Sequence, residues 1–291
     1  MDQRLAGLLA LLELERIEVN IFRGESRDIG SPQVYGGQVL GQALRAAYAT
    51  VEPARVAHSL HAYFLRRGDF NAPIVYFVDR SREGHSFTSR RVTAIQHGEQ
   101  IFNLSASFQL AESGLEHQLT MPEVPPPEEL IDSATLAARS DSQLPPRLRH
   151  YVAHERPFEL RAVPPEAAAE LSRDSRQYIW LRAVDRMPDD AQLHHCLLAY
   201  VSDFHLLSAA LLPHAEQIAR AKAAGGKLVM ASIDHAMWFH RPVRVDDWLL
   251  YATESPSAAG ARGFTSGSLF TRSGQLVAST AQEGLLRLQG S

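Results

Sequence analysis

Residues 232–242, read SIDHAMWFHRP, place a hydroxyl group, a carboxylate and two imidazoles within one short stretch of chain. The same stretch carries three large side chains that favour a protein core, at Met237, Trp238 and Phe239. These side chains predict a buried strand. Polar groups inside a core need hydrogen-bond partners, so Ser232, Asp234, His235 and His240 predict a site of clustered polar side chains. Ser232 stands at the head of this predicted strand.

The remaining histidines and glycines do not predict a bound metal or phosphate. His194, His195 and Cys196 are adjacent, but neighbouring side chains on a helix diverge and no second ligand pair has zinc spacing. Gly36, Gly37 and Gly41 lack the GK[ST] context of a phosphate loop. No GxSxG motif is present either, so a serine on a nucleophile elbow is not expected.

The composition is that of an ordinary globular protein with 291 residues, of which 45% are hydrophobic and 21% charged. Its 29 basic and 33 acidic residues leave a net charge of −4, which gives no positive field for nucleic acid or anionic membrane. We therefore expect a small-molecule ligand. The single cysteine, Cys196, allows no internal disulfide, and a cytoplasmic location is expected.

The N-terminal residues 1–20 predict an amphipathic docking helix instead of a targeting segment. Their leucines recur at helical spacing and charged residues interrupt the run, with the apolar positions at Leu5, Leu8, Leu9 and Leu12. No stretch is predicted to reach the ~20 apolar residues that span a bilayer, so no membrane insertion is expected.

The first half predicts one helix followed by strands. Residues 35–49 have a wide apolar face, and their three glycines indicate close approach of this helix to a sheet. Four segments rich in β-branched and aromatic residues, at 59–67, 73–81, 86–96 and 100–110, predict a long antiparallel meander. Proline-rich residues then predict a stiff linker. We divide the chain into a first unit (1–115), a linker (116–150) and a second unit (151–291).

The second half repeats the first. Tyr35 and Gln38 match Tyr200 and Asp203 at an offset of 165 (200 − 35), with each pair opening an apolar helix. The dipeptide at His61 matches that at His235 (235 − 61 = 174), and residues 87–89 match 264–266 (264 − 87 = 177). Such self-similarity predicts a tandem duplication of an α+β unit, in which a helix covers its own antiparallel sheet.

These motifs together resemble the type II acyl-CoA thioesterase family, and the likeness runs from end to end. It is carried by residues 34–44 (VYGGQVLGQAL), 58–69 (HSLHAYFLRRGD), 86–96 (SFTSRRVTAIQ), 200–203 (YVSD), 232–242 and 278–284 (ASTAQEG). The resemblance implies an α+β double hotdog, in which two tandem units each wrap a sheet around a long helix. It also implies hydrolysis of medium- to long-chain acyl-CoA to free fatty acid and coenzyme A.

The resemblance places the catalytic residues at Asp203, Ser232 and Gln282. Serine stands at 232 where the family has threonine, which keeps the hydroxyl and loses a methyl group. The offsets 165 and 174, with 175 from the match of Gln100 to Gln275 (275 − 100), give Gln38, His58 and Ser107 as the first-half counterparts, so only the second copy combines a carboxylate, a hydroxyl and a carboxamide. Each residue also has a structural interpretation: Asp203 as a helix N-cap, Ser232 and Gln282 as ordinary strand residues.

The expected chemistry is attack by a positioned water, with Asp203 as general base and a helix N-terminal amide at the oxyanion. Two alternatives stay open. An enoyl-CoA hydratase or dehydratase needs an aspartate and a histidine that converge, whereas Asp203 and His205 are predicted too close together on one helix. A non-catalytic acyl-CoA sensor would keep the pocket but has no use for a positioned water.

The remaining expectations concern substrate and partners. Four residues are candidates for binding the substrate: His58, which the repeat places opposite Ser232, and the arginines Arg90, Arg91 and Arg262. A core role for the histidine and a solvated position on a strand for each arginine are at least as well supported. Coenzyme A belongs to the substrate, so no cofactor and no metal are expected. The resemblance also implies a homo-oligomer, a dimer or tetramer.

Overall fold

A computed structural model of the chain describes residues 1–31, 33–135, 156–167 and 175–290. The helices are α1 (Gln3–Leu12), α2 (Gly36–Tyr48), α3 (Ala191–Ser202) and α4 (Ala215–Ala223), with 3₁₀ segments at Pro127–Glu129, Pro165–Ala167 and Leu206–His214. The strands of the first half are β1 (Glu15–Glu18), β2 (Ile21–Gly24), β3 (Arg55–Phe64), β4 (Ile74–Glu83), β5 (Phe87–Gln96) and β6 (Glu99–Leu110). Those of the second half are β7 (Phe158–Ala162), β8 (Arg176–Ala183), β9 (Lys227–Ser232), β10 (Asp234–Phe239), β11 (Leu249–Ala259), β12 (Arg262–Thr271) and β13 (Leu276–Gln289).

Within the described residues, these strands form one 13-stranded antiparallel sheet in the order β1-β2-β4-β5-β6-β3-β10-β13-β12-β11-β8-β7, with β9 also paired to β13. The two halves join where β3 pairs with β10. The predicted meander is correct for β4, β5 and β6, but β3 pairs with β6 and not with β4. The sheet is therefore continuous across both halves.

The strand order confirms the predicted duplication. In the first half β2, β4, β5, β6 and β3 follow one another across the sheet, and β8, β11, β12, β13 and β10 do the same in the second half. The helices α2 and α3 each follow the second strand of their half. This arrangement of two helices against a shared antiparallel sheet is the double hotdog expected above.

Two glycines of α2, Gly37 and Gly41, face the other helix, which corrects the expectation that they approach a sheet, whereas Gly36 does approach Phe64 of β3. A Cβ atom built on Gly37 would lie 2.1 Å from the carbonyl oxygen of Tyr200, and one on Gly41 would lie 3.0 Å from that of Cys196. Both acceptors belong to α3. Only residues without a side chain let the two helix backbones come this close.

The stretch 232–242 was predicted to be one strand, but the structure divides it between the end of one strand and the whole of the next. Ser232 ends β9, where it pairs with Gly284, and β10 begins at Asp234. Side chains alternate along β10, so Met237 is fully buried while the Trp238 side chain is 36% exposed on the other face. The core prediction therefore holds for Met237 and fails for Trp238.

The described part of the linker, residues 116–135, covers an outer surface of the second unit. Met121, Val124 and Leu130 pack on a small cluster that includes Trp180 and Trp248. The indole of Trp180 donates to the Pro125 carbonyl, 2.9 Å away. The linker prediction for 136–150 falls outside the described residues.

The N-terminal helix docks as predicted, with Leu5, Leu8 and Leu12 buried. The expectation about apolar runs was wrong: one helical stretch among the described residues, Ala191–Ala223, is long and apolar enough to cross a membrane by length and composition. However, 67% of its most apolar window is buried inside the protein. The stretch is accounted for as the core helix α3 with its continuation.

Candidate active site

Asp203 lies at the end of a helix and not at its start, contrary to the sequence expectation. The helix α3 begins after Asp190, whose side chain caps it by accepting from the amides of Gln192 and Leu193, and ends with Asp203 as its C-cap residue. The backbone then turns through His205, which has a left-handed φ of 60°. Asp203 is therefore not the N-cap of its own helix.

The Asp203 carboxylate instead faces the N-terminus of α2, which belongs to the first half of the chain. It accepts a hydrogen bond from the backbone amide of Gly37. A Cβ atom on Gly36 would lie 2.7 Å from Asp203 Oδ2 and 2.9 Å from the ring of Phe64. Helix N-termini carry unpaired amides and a positive partial charge, so this position favours the ionised form of Asp203 over the protonated form. The N-cap residue Tyr35 makes no side-chain capping bond, so Asp203 supplies this contact from outside the helix.

Ser232 reaches the carboxylate from the end of β9. Its Oγ lies 3.5 Å from Asp203 Oδ1. The chain changes direction at the next residue, Ile233, whose carbonyl accepts from Phe64 and whose amide donates to Glu283. Asp203 and Ser232 are both half-buried, so the oxygen atoms of this pair border a region that a small molecule can reach.

Gln282 completes the group from β13. Its Nε2 donates to Ser232 Oγ at 2.8 Å, and its side chain also hydrogen-bonds Asp203. Behind it, Gln282 Oε1 lies 2.6 Å from Nδ1 of His235. The structure therefore brings together the three residues that the family resemblance implied, and adds a buried histidine behind them.

Burial raises the pKa of Asp203 above its ordinary value, because desolvation disfavours the charged form. The His235 ring and the hydrogen bonds from Gln282, Gly37 and Ser232 oppose this shift without cancelling it. Burial lowers the pKa of His235, so the neutral imidazole is favoured. A carboxylate with a raised pKa is a better proton acceptor than an ordinary aspartate, as expected of a general base.

The first-half counterparts predicted from sequence need correction. The helices correspond at an offset of 155 (190 − 35, the two N-cap residues), not 165, so Gln38 is not the counterpart of Asp203. Likewise His61 is exposed whereas His235 is fully buried, which puts them on opposite faces of the sheet. A shift of one residue along a strand produces this error.

Strand register shows what replaces the site in the first half. Thr265, fully buried, pairs with Gln282, and the matching buried Thr88 pairs with Phe108. Phe108, and not Ser107, therefore corresponds to Gln282. Its neighbour on β3 is Ala57. The first half therefore has apolar Ala57 and Phe108 where the second half has polar side chains. The two halves differ at the site, as inferred from the sequence, but the first-half residues are not the ones expected.

His58 and Arg90 make other contacts. His58 Nε2 lies 2.8 Å from Ser107 Oγ, and its ring packs on Phe87. The guanidinium of Arg90 is buried, and its five N–H groups are all engaged, with Thr50 Oγ1, the carbonyls of Thr50, Arg82 and Ser89, and the Glu83 carboxylate. The expectation of a solvated strand arginine is wrong for Arg90, and no donor is left for a phosphate.

Two of the candidate arginines are exposed. Arg91 lies on the exposed face of β5. Arg262 pairs with Glu283 at 3.0 Å, beside Gln282 on β13. Arg262 is therefore the candidate that lies nearest to Asp203, Ser232 and Gln282 along the sheet, and its role in substrate binding stays a prediction.

A groove of about 570 Å³ lies elsewhere, where Trp248 is bordered by Arg182, Arg244 and Arg272. Each of these arginines already pairs with a carboxylate, on Glu159, Asp246 and Glu128 respectively. Thr271 at this groove is six residues along β12 from Thr265, or roughly 20 Å. The groove is separate from the Asp203 group and has no unpaired arginine.

Sequence reasoning missed three contributors to the site: Gly37, Ser202 and the bond from His235 to Gln282. The signal in the sequence was the position of His235 three residues after Ser232, among the clustered polar side chains of this stretch. Among the described residues no group of His, Cys, Asp and Glu side chains could hold a metal ion.

Comparisons with known proteins identify the family. A family model described as "Acyl-CoA thioesterase" matches residues 147–285, and one described as "Acyl-CoA thioesterase N-terminal domain" matches residues 23–109. The chain is 44% identical over 290 residues to acyl-CoA thioesterase 2 of Haemophilus influenzae, covering 99% of both chains. It is 41% identical to human acyl-coenzyme A thioesterase 8, covering 99% of this chain and 91% of the relative.

Solved structures show the same likeness. The acyl-CoA thioesterase II TesB2 of Mycobacterium marinum superposes with a TM-score of 0.81 at 43% identity, over 97% of this chain and 99% of that one. A protein of Alicyclobacillus acidocaldarius described as having a hot dog fold superposes with a TM-score of 0.74 at 18% identity, which shows the fold alone.

Proposed function

The chain belongs to the acyl-CoA thioesterase family, and on that premise we propose that it hydrolyses medium- to long-chain acyl-CoA by means of a water held at Asp203, Ser232 and Gln282. The observation that carries this proposal is the hydrogen-bonded group of a carboxylate, a hydroxyl and a carboxamide at the N-terminus of α2. A carboxylate with a raised pKa next to two groups that orient a small molecule fits general-base hydrolysis.

In the proposed reaction the water oxygen attacks the thioester carbonyl carbon while Asp203 takes its proton. The carbon–sulfur bond then breaks, the fatty acid forms, and coenzyme A leaves as a thiolate that is protonated afterwards. Ser232 and Gln282 hold the water in line with the carbonyl, and the positive N-terminal end of α2 stabilises the developing oxyanion. The aromatic rings of Tyr35, Phe64 and Phe204 around this helix end suit the apolar acyl chain.

A thiol-release assay across acyl-CoA lengths, run beside an enoyl-CoA hydration assay, tests the reaction class. We expect thiol release, best with medium and long chains, and no hydration. Both ring nitrogens of His235 are engaged by Gln282 and Ser202, so this histidine is not free to act on a substrate carbon as a hydratase requires. Hydration without thiol release, or binding without either, would contradict the proposal.

Two substitutions of Ser232 should show how much its hydroxyl contributes to the rate of hydrolysis. Ser232→Ala should lower kcat roughly 10- to 150-fold, the equivalent of about 1.5–3 kcal/mol for a hydrogen bond to a charged group. Ser232→Thr should keep most of the activity, because it retains the hydroxyl and adds only one methyl group. Steady-state rates of the two variants, with melting temperatures as the control for folding, decide between these outcomes.

The same residue should form no acyl-enzyme. Nucleophilic serines are usually activated by a hydrogen-bonded histidine, whereas Ser232 Oγ contacts the Gln282 amide at 2.8 Å and the Asp203 carboxylate at a long 3.5 Å, an arrangement that suits a bridging water better. Rapid quench with intact-protein mass spectrometry on a slow substrate tests this directly. An acyl adduct on Ser232 that forms and decays at the catalytic rate would replace the water mechanism.

The pH dependence should show the raised pKa of Asp203. A general base works only when deprotonated, so kcat/KM should be constant at high pH and fall as the pH drops through this pKa, above the ordinary aspartate value of 3.8. Intrinsic fluorescence at each pH controls for acid unfolding. An acid limb at or below the ordinary value, in folded protein, would contradict the assignment of Asp203.

We also propose that the enzyme is a homo-oligomer. Support comes from aromatic side chains exposed on the face of the sheet away from the helices, at Tyr63, Phe77 and Trp238. Sedimentation or light scattering of the purified chain tests this, and a monomer at micromolar concentration would contradict it.

A further inference from the structure

A continuous row of hydrogen bonds extends the Asp203 group into the core. Ser202 Oγ lies 3.0 Å from Nε2 of His235, and Nδ1 of that histidine lies 2.6 Å from Gln282 Oε1. Gln282 Nε2 continues to Ser232 Oγ at 2.8 Å. His235 and Ser202 are both fully buried, so neither can contact a substrate. Their hydrogen bonds reach the polar side chains of the site through Gln282.

The direction of these bonds follows from Asp203. A carboxylate can only accept, so the end of the Gln282 amide that faces Asp203 must be the N–H₂ group. The amide oxygen then faces His235, which must present a proton on Nδ1. In the neutral imidazole Nε2 is left as an acceptor, and the donor within reach is the Ser202 hydroxyl, whose one proton is shared between Nε2 and the Ala199 carbonyl, each 3.0 Å away.

We propose that His235 is a positioning residue that, as the Nδ1-protonated neutral tautomer set by Ser202, fixes the Gln282 amide with its N–H₂ group toward Ser232 and Asp203. The alternative orientation of the amide would turn its oxygen toward the carboxylate and leave no donor for Ser232. A glutamine alone has two nearly isosteric orientations, and only its partners choose between them. The histidine therefore ensures that every donor in the row points toward Asp203.

The surroundings of His235 suit a neutral ring. Asp203 and Asp234 are the charged groups that favour its protonation, and burial outweighs both. The neighbouring Tyr251 hydroxyl is engaged with the Ser202 carbonyl and with Thr280, so it does not compete for Ser202 Oγ.

A double-mutant cycle with Gln282 distinguishes positioning from general structural support. His235→Leu should lower kcat roughly 10- to 100-fold, the size expected when a buried amide oxygen loses its donor. In a Gln282→Ala background the same change should cost at most about 3-fold, because residues that act through one another are not additive. His235→Asn, whose Nδ2 can replace the lost donor, should retain most of the rate. Equal losses in both backgrounds would overturn the proposal.

Ser202→Ala offers a smaller change in case His235→Leu does not fold. We expect a roughly 3- to 10-fold lower kcat in the wild-type background, the size of one hydrogen bond, and no further loss beside Gln282→Ala. An additive loss would indicate that Ser202 acts independently of Gln282.

Imidazole ¹⁵N NMR of the histidine-labelled protein gives a readout that needs no activity. His235, assigned by comparison with His235→Asn, should show a protonated Nδ1 and a bare Nε2 at neutral pH. A protonated Nε2, alone or in an imidazolium, would overturn the proposal. The inference rests on the proposed role of Gln282, but the two can fail separately: absence of thiol release by the wild-type enzyme refutes the function, whereas the NMR result refutes the tautomer.

Discussion

Replacing Asp203 by asparagine should lower kcat by about 10²- to 10⁴-fold, the usual cost of losing a general base. The fold should survive, because asparagine is nearly isosteric and its side-chain oxygen can still accept from the Gly37 amide at the N-terminus of α2. Burial also opposes the charge of Asp203, so a neutral side chain removes a desolvation cost. We expect a melting temperature equal to or above that of the wild type, together with nearly complete loss of thiol release.

The chain contains a matched control for this substitution. Asp190→Asn makes the same change at the N-cap of α3, where the side chain accepts from the amides of Gln192 and Leu193. Asparagine caps as well as aspartate, so this variant should keep both its stability and its activity. If Asp203→Asn turns over normally while Asp190→Asn does the same, Asp203 has only a capping role and the water mechanism fails.

Replacing Gly37 by alanine should disable the site from the first half of the chain. In an ordinary helix this change would stabilise by about 1 kcal/mol through propensity. Here the new Cβ atom would lie 2.1 Å from the Tyr200 carbonyl oxygen and 2.4 Å from the Tyr35 ring, and a backbone atom cannot move aside as a flexible side chain can. The clash should dominate, with a net loss of stability of about 1–3 kcal/mol.

Activity should fall more than stability does. Separating α2 from α3 moves the Gly37 amide away from Asp203, and a displacement of about 1 Å at a reacting group can cost on the order of 100-fold in rate. Gly41→Ala, where the nearest backbone oxygen is at 3.0 Å, should have a milder effect, and Gly114→Ala, which meets nothing within 4 Å, should have none. Denaturant unfolding and thiol release on the three variants test this order. A Gly37→Ala enzyme with wild-type rate and stability would contradict the role assigned to the helix contact.

These two predictions share one structural cause, which is that the site spans both halves of the duplication. Asp203, Ser232 and Gln282 come from the second half, whereas the amide that faces the carboxylate comes from α2. The first half has apolar Phe108 where the second has Gln282. It therefore contributes a helix end and a shared sheet, and the second half contributes the side chains.

The sequence by itself determined the architecture, and its resemblance to a known family pointed to the three polar residues. Period-two patterns of β-branched and aromatic residues depend on local preferences, so the strands at 74–83, 87–96 and 99–110 were predicted to within a few residues. Leucine spacing predicted the helix α1, but this helix ends at Leu12 and the strand β1 begins at Glu15, within the stretch 1–20 that was expected to be helical. Asp203, Ser232 and Gln282 each lie in a short unbroken motif that can be read from the sequence. The structure brings these three side chains together.

Only the tertiary structure decided how these residues face one another. Asp203 was expected at a helix start because short polar residues often cap, yet its carboxylate contacts the start of a different helix, a choice made by packing between α2 and α3. The expected counterparts His61 and Ser107 differ from the true ones by register, since one residue of slippage moves a side chain to the opposite face of a sheet. The bonds that orient Gln282 through His235 and Ser202 join strands and a helix far apart in sequence. Local preference carries no information about such pairings, which the packed core alone selects.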